Sequence, residues 1–253
     1  MNWRVVAGSE IGTSHVASGV ICEDSCWAQV DRLSTGESLL SIFVSDGAGS
    51  AAKGGEGAEL AIQAAADFVA EKLEQGEFGL SDMLATDLLV SIRQRIYDQA
   101  EAVGLKARDF ACTFIGLLSY PMGTLVMQVG DGGVVLDVGD GLEVAVIPMC
   151  GEYANTTHFV TDENAINILV TKVYADPALR VAAFSDGLQR LALNMTTNTP
   201  YEPFFTPFFN GLATATPEQE EQLQVLLMRF LGSAAVNART DDDKTLALAV
   251  RLL

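Results

Sequence analysis

The stretches FVSDGAGSAAKGG (residues 43–55) and AAFSDGLQR (residues 182–190) each run an apolar segment into Ser-Asp-Gly, about half the chain apart. A β-rich apolar run that stops on an aspartate sets a carboxylate at a sheet end, and two such runs let two carboxylates meet. Asp-Gly is also an ordinary turn signal, because aspartate caps turns with its side chain and glycine accepts positive φ. One occurrence needs no further explanation. Three more acidic junctions flank apolar strands, however: Glu23-Asp24 before CWAQV, Asp131-Gly132 after LVMQVG, and Asp241-Asp242-Asp243 before TLALAV. Five acidic strand ends exceed what turn chemistry alone accounts for.

Working outward, residues 2–8, 26–31 and 38–45 have strand character, the last an apolar run closed by turn formers. From Gly54 to about Lys72 the period becomes helical, with Ala58, Ala61, Ile62, Ala65, Phe68 and Val69 recurring on one face. A second helix is predicted from Ser81, as N-cap, to about Val103, with Met83, Leu84, Leu88, Ile92 and Ile96 on its apolar stripe. ACTFIGLLSY, GTLVMQVG, GVVLDVG and LEVAVIPM then follow with short turns between them, the pattern of an antiparallel meander. FVTDENAINILV has strand character beside His158, and RVAAFSDG and the closing TLALAVRLL complete the strands. Thr216-Pro217-Glu218-Gln219 opens a helix to about Leu231. The aromatic, proline-bearing segment 194–211 is expected to be irregular. Strands at both ends with helices grouped between them argue for an α+β fold whose sheets bury one face against helices or each other. No linker interrupts the 253 residues, which are expected to form a single domain, 1–253.

The composition bounds the function. A net charge of −18, with 33 acidic against 15 basic residues, repels nucleic acid and anionic membrane. No apolar run has the length of a membrane helix, and the N-terminus lacks the apolar core of a secretory signal. Cys22, Cys26, Cys112 and Cys150 are scattered without a C-x2-C pair, as in a reduced cytoplasmic protein. GSAAKGGEG lacks the Gly-Lys-Ser/Thr ending of a phosphate-cradling P-loop. What remains is the acidic set. Carboxylates crowded together repel and raise each other's pKa unless a cation sits among them. Hard divalent ions prefer such oxygen donors. A pair of them can bind a phosphoryl group and activate water near neutral pH.

In chain order the junctions are Glu23-Asp24, Val44-Ser45-Asp46-Gly47-Ala48-Gly49-Ser50, Cys112-Thr113, Val129-Gly130-Asp131-Gly132, Phe184-Ser185-Asp186-Gly187-Leu188 and Asp242-Asp243-Lys244-Thr245. This ordered set, spanning nearly the whole chain, resembles the metal-dependent protein phosphatase family of the 2C type, in a divergent bacterial branch. The resemblance implies a sandwich of two antiparallel β-sheets flanked by helix pairs; the aromatic, proline-bearing stretch itself marks an insertion or flap around 194–215. It implies two Mn²⁺ or Mg²⁺ ions, and a third in some family members. Asp46 would bridge the two ions, Glu23 and the Gly47 carbonyl would hold one, and Asp186 and Asp242 the other. Asp131 would serve the third ion, and Asp24 would orient ligands or water. A water activated between the ions would attack a phosphoserine or phosphothreonine in line, with no covalent intermediate. The implied partner is a phosphorylated protein made by a serine/threonine kinase, met by a monomer.

Three positions depart from the family pattern. Gly19 stands where an arginine usually grips the substrate phosphate, with His15 and Arg32 nearby in sequence as substitutes. His15 is accordingly a candidate phosphate contact or general acid. Lys53 could attract the phosphate weakly. Asp243 stands where asparagine is usual, so the ligand within Asp241–Asp243 is open by one position. Gly132 stands where serine is common. Two other readings follow from Gly19: a phosphoprotein-binding module that keeps the fold without turnover, and a hydrolase of small phosphomonoesters.

Overall fold

The computed structural model describes residues 2–76, 78–147 and 157–252. The chain opens with β1 (Asn2–Glu10), the short helix α1 (Thr13–Ser18), β2 (Asp24–Arg32) and β3 (Ser38–Asp46). A helix pair follows, α2 (Gly54–Gln75) and α3 (Asp82–Ala102), and a 3-10 turn at Ala107–Phe110 leads to β4 (Phe114–Tyr120) and β5 (Gly123–Val129). Next come β6 (Gly133–Asp137), β7 (Glu143–Val146), α4 (Ala165–Ile168), β8 (Val170–Tyr174) and β9 (Arg180–Phe184). Beyond a 3-10 turn at Asp186–Leu188 lie α5 (Gln189–Ala192) and the two-residue ladder of β10 (Leu193–Asn194) with β11 (Thr199–Pro200). The chain ends with α6 (Glu202–Thr214), α7 (Pro217–Leu231), α8 (Ala234–Asn237) and β12 (Lys244–Leu252).

The ten long strands form two antiparallel sheets of five, ordered β1-β12-β9-β6-β7 and β2-β3-β4-β5-β8. Three apolar layers hold them. Leu40, Ile42, Val44, Ile115, Val126 and Ala247 pack between the sheets. Leu39, Phe43, Ala58, Leu88 and Ile92 fill the space between the second sheet and α2 with α3, while Val135, Phe184, Phe205, Phe209 and Leu248 do so beneath α6 and α7. The architecture is therefore the α+β sandwich with helices on both outer faces. β3 shows why its sequence is continuously apolar: Ser38 through Ser45 are all buried, because helices cover one face and the other sheet the second.

The local signals act as expected at the long helices. The Ser81 hydroxyl accepts from the Leu84 N–H at 3.2 Å, and α2 ends on Gly76 in the left-handed conformation. At α7 the Gln219 side chain accepts from the Thr216 N–H at 2.9 Å. Met83 is not on the apolar stripe; it is exposed, and Leu84, Leu88, Ile92 and Ile96 carry the buried face. The run from 111 to 149 is not one meander. β4 and β5 belong to one sheet and β6 and β7 to the other, and the chain crosses at Gly130, whose φ of 112° only glycine adopts freely. Pro148, Met149 and Cys150, the end of that run and the fourth cysteine, lie outside the described residues. FVTDENAINILV is not a strand either: turns and α4 occupy it, and β8 begins at its last residue. Residues 194–211 are largely ordered as α6, a helix the prolines at 203 and 207 disguise in the sequence.

Candidate active site

β2 and β3 pair in a register that sets Asp24 directly opposite Asp46, each at the end of its strand. β9 ends beside β12 in the other sheet, and the turn after it carries Asp186. The two Ser-Asp-Gly stretches thus end in different sheets at the same edge of the sandwich. Asp46, Gly47, Asp186, Asp242, Asp131 and His15 line one cleft of about 230 Å³ there, with Thr113, Thr157 and Phe159 among the other walls.

Backbone and hydroxyl contacts fix each carboxylate. The Thr113 hydroxyl accepts from the Asp46 N–H at 3.0 Å, and the Ser45 hydroxyl donates to the Thr113 carbonyl at 2.6 Å. Gly47 donates to the Glu23 carbonyl at 3.1 Å, and a Cβ there would collide with the backbone at Gly54, so glycine lets α2 start against the site. Asp24 lies buried beneath the cleft, where its Oδ2 accepts from the Ser185 and Thr245 hydroxyls at 2.7 Å each. The Thr157 hydroxyl donates to Asp131 at 2.6 Å, and the Gln189 amide donates to the Asp131 carbonyl.

The triple aspartate divides by direction. Asp241 gives its carbonyl to the Ser14 N–H and hydroxyl at 2.9 and 2.7 Å. Asp242 faces the cleft. Asp243 is buried, and its two oxygens accept from the N–H groups of Gly12 and Glu23 at 2.6 Å each. His15 stands on α1, its Nδ1 3.0 Å from Asp243 Oδ2, an ion-pair contact lacking aligned hydrogen-bond geometry, and its Nε2 3.9 Å from Glu23 Oε2. Glu23 sits at the side of the cleft against His15 rather than in its lining. Among the described residues His15 is the only basic side chain in the lining.

The electrostatics are those of crowded acids. Burial first, then Asp24, Asp186 and Asp242, pushes the Asp46 carboxyl well above the ordinary carboxylate range. Burial, then Asp131 and Asp242, raises Asp186 to about 6, against hydrogen bonds from Asp46 and the Gly187 backbone. Asp24 is raised to about 7 by burial, with Asp243 and Asp186 adding to it and the Thr245 and Ser185 hydroxyls opposing. Asp46 and Asp186 are close enough that each perturbs the other's carboxyl. Asp24 Oδ1 is buried with no hydrogen-bond partner among the described residues. An all-oxygen donor set, mutually repelling and with an orphaned buried acceptor, fits hard divalent cations. Among the described residues no three acidic, histidine or cysteine side chains form a ligating group by themselves, so such ions would draw remaining donors from the Gly47 carbonyl and water.

Of the two expected substitutes for the missing arginine, His15 lines the cleft and Arg32 does not; Lys53, the expected weak attractor of phosphate, is not in the lining either. Arg32 ends β2 opposite to Asp24, roughly 26 Å away at strand rise, and donates to the Gly36 carbonyl at 2.9 Å. Lys53 caps α2 and pairs with Glu56 at 3.3 Å. Gly19 itself is the exposed C-cap of α1 with φ 72°, a conformation an arginine would adopt only under strain. His158 lies 3.7 Å from Asp162, outside the lining. Sequence reasoning missed Ser45, Ser185, Thr113, Thr157 and Thr245 as positioning residues. The serine shared by the two Ser-Asp-Gly stretches was the available signal for Ser45 and Ser185.

Residues 11–228 match the sequence profile of a family described as Protein phosphatase 2C. The chain is 57% identical over 250 residues to Serine/threonine-protein phosphatase 3 of Escherichia coli (strain K12), covering 99% of each. The serine/threonine phosphatase Stp1 from Staphylococcus aureus superposes with a TM-score of 0.62 at 14% identity, over 99% of this chain and 96% of that one. The catalytic domain of the serine threonine protein phosphatase PstP in complex with two manganese ions gives 0.59 at 16% identity, over 99% of each.

Proposed function

The chain belongs to the protein phosphatase 2C family, and from that premise we propose that its cleft hydrolyses phosphoserine and phosphothreonine esters of proteins with the help of two Mn²⁺ or Mg²⁺ ions. The observation that carries this reading is the convergence of Asp46, Asp186 and Asp242, from three distant segments, on one cleft without a neutralising lysine or arginine among the described lining residues. Asp46 would serve both ions, Glu23 and the Gly47 carbonyl one, Asp186 and Asp242 the other, and Asp131 a third. When bound, the ions supply charge neutralisation of the phosphoryl group and activation of water. The manganese complex of the PstP domain supports Mn²⁺ as the first metal to test.

The chain's own residues do the rest. Thr113 and Ser45 hold the Asp46 backbone so that its carboxylate faces the cleft. Asp24, clamped by Ser185 and Thr245 through one oxygen and buried beside Asp46, would orient a ligand or water with the other. His15, braced against Asp243, presents a ring N–H to the incoming phosphate in place of the family's arginine and can protonate the departing alkoxide. The free thiols of Cys22, Cys26 and Cys112 support action in a reducing cytoplasm. The acidic surface favours phosphoprotein partners, the products of serine/threonine kinases, over nucleic acid, and the protein acts as a monomer. Among the described residues no helix is long and apolar enough to cross a membrane.

Purified protein with Mn²⁺ is expected to hydrolyse an aryl phosphate and a phosphothreonine peptide, and to stop with chelator or on Asp46→Asn. Metal-independent turnover that survives Asp46→Asn would sink the reading. Tight phosphopeptide binding in calorimetry, with no turnover in saturating Mn²⁺, would replace it with a binding module. A preference for nucleotides or sugar phosphates across a substrate panel would replace the protein substrate.

A further inference from the structure

A second cavity, of about 370 Å³, opens between α2 and β2, the edge strand of its sheet. The β2–β3 register puts Trp27 opposite Phe43 and Gln29 opposite Ser41 on the helix-facing side. On α2, Ala66 and Ala70 stand one turn apart and are too small to fill the space, which leaves the Trp27 residue 39% exposed. Ser41 lines the cavity at 1% exposure, yet its hydroxyl has no hydrogen-bond partner among the described residues. Asp31 lines it too, accepting from the neutral Gln29 amide at 2.6 Å and pairing with no cation among the described residues. Asp67, the other carboxylate in the lining, is already paired with Arg95 at 2.8 Å.

These features select a ligand. An anion would meet carboxylates and no basic lining residue. An apolar group would leave the buried Ser41 hydroxyl without a partner and the Asp31 carboxylate without a counter-charge. A planar cation bearing N–H donors meets all three: the indole face, the carboxylate and the hydroxyl. A guanidinium suits this better than an ammonium, because it stacks flat while donating from its edge. We propose that the groove between β2 and α2 is a docking site for an arginine side chain of the protein substrate. The identity of the partner rests on the phosphatase reading; the chemistry of the site does not. Ser41 precedes Asp46 by five residues on β3, about 17 Å at strand rise, a span that about five residues of extended substrate cover.

Trp27 reports on the site directly, since Trp3, the other tryptophan, is buried. Titration with N-acetyl-arginine amide is expected to change tryptophan fluorescence saturably, with or without Mn²⁺, while the uncharged N-acetyl-citrulline amide does not. Asp31→Asn and the cavity-filling Ala70→Leu should each abolish the response. A phosphothreonine peptide carrying arginine about five residues from the phosphate should have a KM about fivefold lower than its citrulline counterpart. Asp31→Asn should erase that difference while leaving turnover of an aryl phosphate unchanged. Equal fluorescence responses to the two amides, or a response that persists in both variants, overturns the site. A saturable response with equal KM for the two peptides overturns the substrate assignment. Failure of all phosphatase activity leaves the fluorescence result standing, so the two readings fail separately.

Discussion

Asp24 offers the sharpest test of the acidic cluster, because it can be read without any substrate. Its carboxyl is held at about 7 instead of 3.8, chiefly by burial. In the unfolded chain it ionises near its ordinary value. Below about pH 4 both states hold the proton and no penalty exists. As pH rises toward 7 the unfolded state releases the proton and the folded state keeps it, so stability falls across that window and levels off above it. Each pH unit is worth about 1.4 kcal/mol, and the interval from 3.8 to about 7 sets a ceiling of about 4 kcal/mol for this group. Asp186, raised to about 6, adds a loss of the same sign over the lower part of the range. Asp137 acts oppositely: burial pushes it up, but Arg180 and the N–H groups of Gly139 and Gly141 outweigh that and hold it low, so its stabilisation fades only in strong acid.

Urea denaturation of the metal-free protein between pH 5 and 8 is therefore expected to show stability decreasing by about 2–4 kcal/mol. Asp24→Asn, which can still accept from Ser185 and Thr245, should flatten much of that slope and be the more stable form at pH 8. Saturating Mn²⁺ should lift the wild-type curve most at pH 8, because ions that bind only the folded state favour the ionised carboxylates. A metal-free protein equally stable at pH 5 and 8, or an Asp24→Asn variant with the wild-type slope, would refute the crowding argument.

Three further outcomes can be checked together. His15→Gln should raise the phosphopeptide KM about tenfold, whereas His15→Arg, which restores a fixed cation, should retain most of the affinity; equal kcat/KM in all three proteins would remove His15 from the site. Gly187→Ala drives a methyl into the Asp243 carbonyl and should cost about 2 kcal/mol in denaturation while weakening Mn²⁺ binding by calorimetry. Phe205→Ala, in the layer beneath α6, should cost about 4 kcal/mol in the same measurement yet leave Mn²⁺ affinity intact at low temperature.

The sequence made the acids legible and left their companions hidden, for a physical reason. Strand ends announce themselves by a change from apolar to Asp-Gly, so Asp46, Asp131 and Asp186 stand out. Which sheet a strand joins depends on contacts far along the chain. The split at Gly130 between β5 and β6 therefore looked like one more hairpin, although it is the crossing that carries Asp131 to the cleft. Helix α6 was masked by its prolines: Pro203 falls in the first turn, where no N–H is needed, and the exposed Pro207 is tolerated because Phe204, Phe205, Phe209 and Leu212 anchor the helix by its buried face. A hydroxyl clamp such as Thr245 leaves no pattern at all, since its partner Asp24 is more than 150 residues away. The Arg32 alternative failed on simple length, because a nine-residue strand carries its far end out of reach of the cleft.

The one ambiguity that spacing could not resolve is settled by direction: Asp242 lines the cleft, whereas Asp243 is buried behind it. Asp243 turns inward and meets three groups that can donate: the N–H of Gly12, the N–H of Glu23 and the His15 ring. A carboxylate accepts from the two N–H groups and presents only oxygen to the ring. An asparagine, the family's usual residue there, would turn its NH₂ toward one of those donors. Aspartate at 243 and histidine at 15 are therefore a matched pair. Asp243→Asn alone should cost about 1–3 kcal/mol, through a buried donor facing a donor. Combined with His15→Gln, whose side-chain carbonyl can accept from the new amide, the loss should shrink, giving a coupling of about 1 kcal/mol in a double-mutant cycle. Additive losses would mean that the two residues touch without depending on each other, and that His15 owes its position in the cleft to α1 alone.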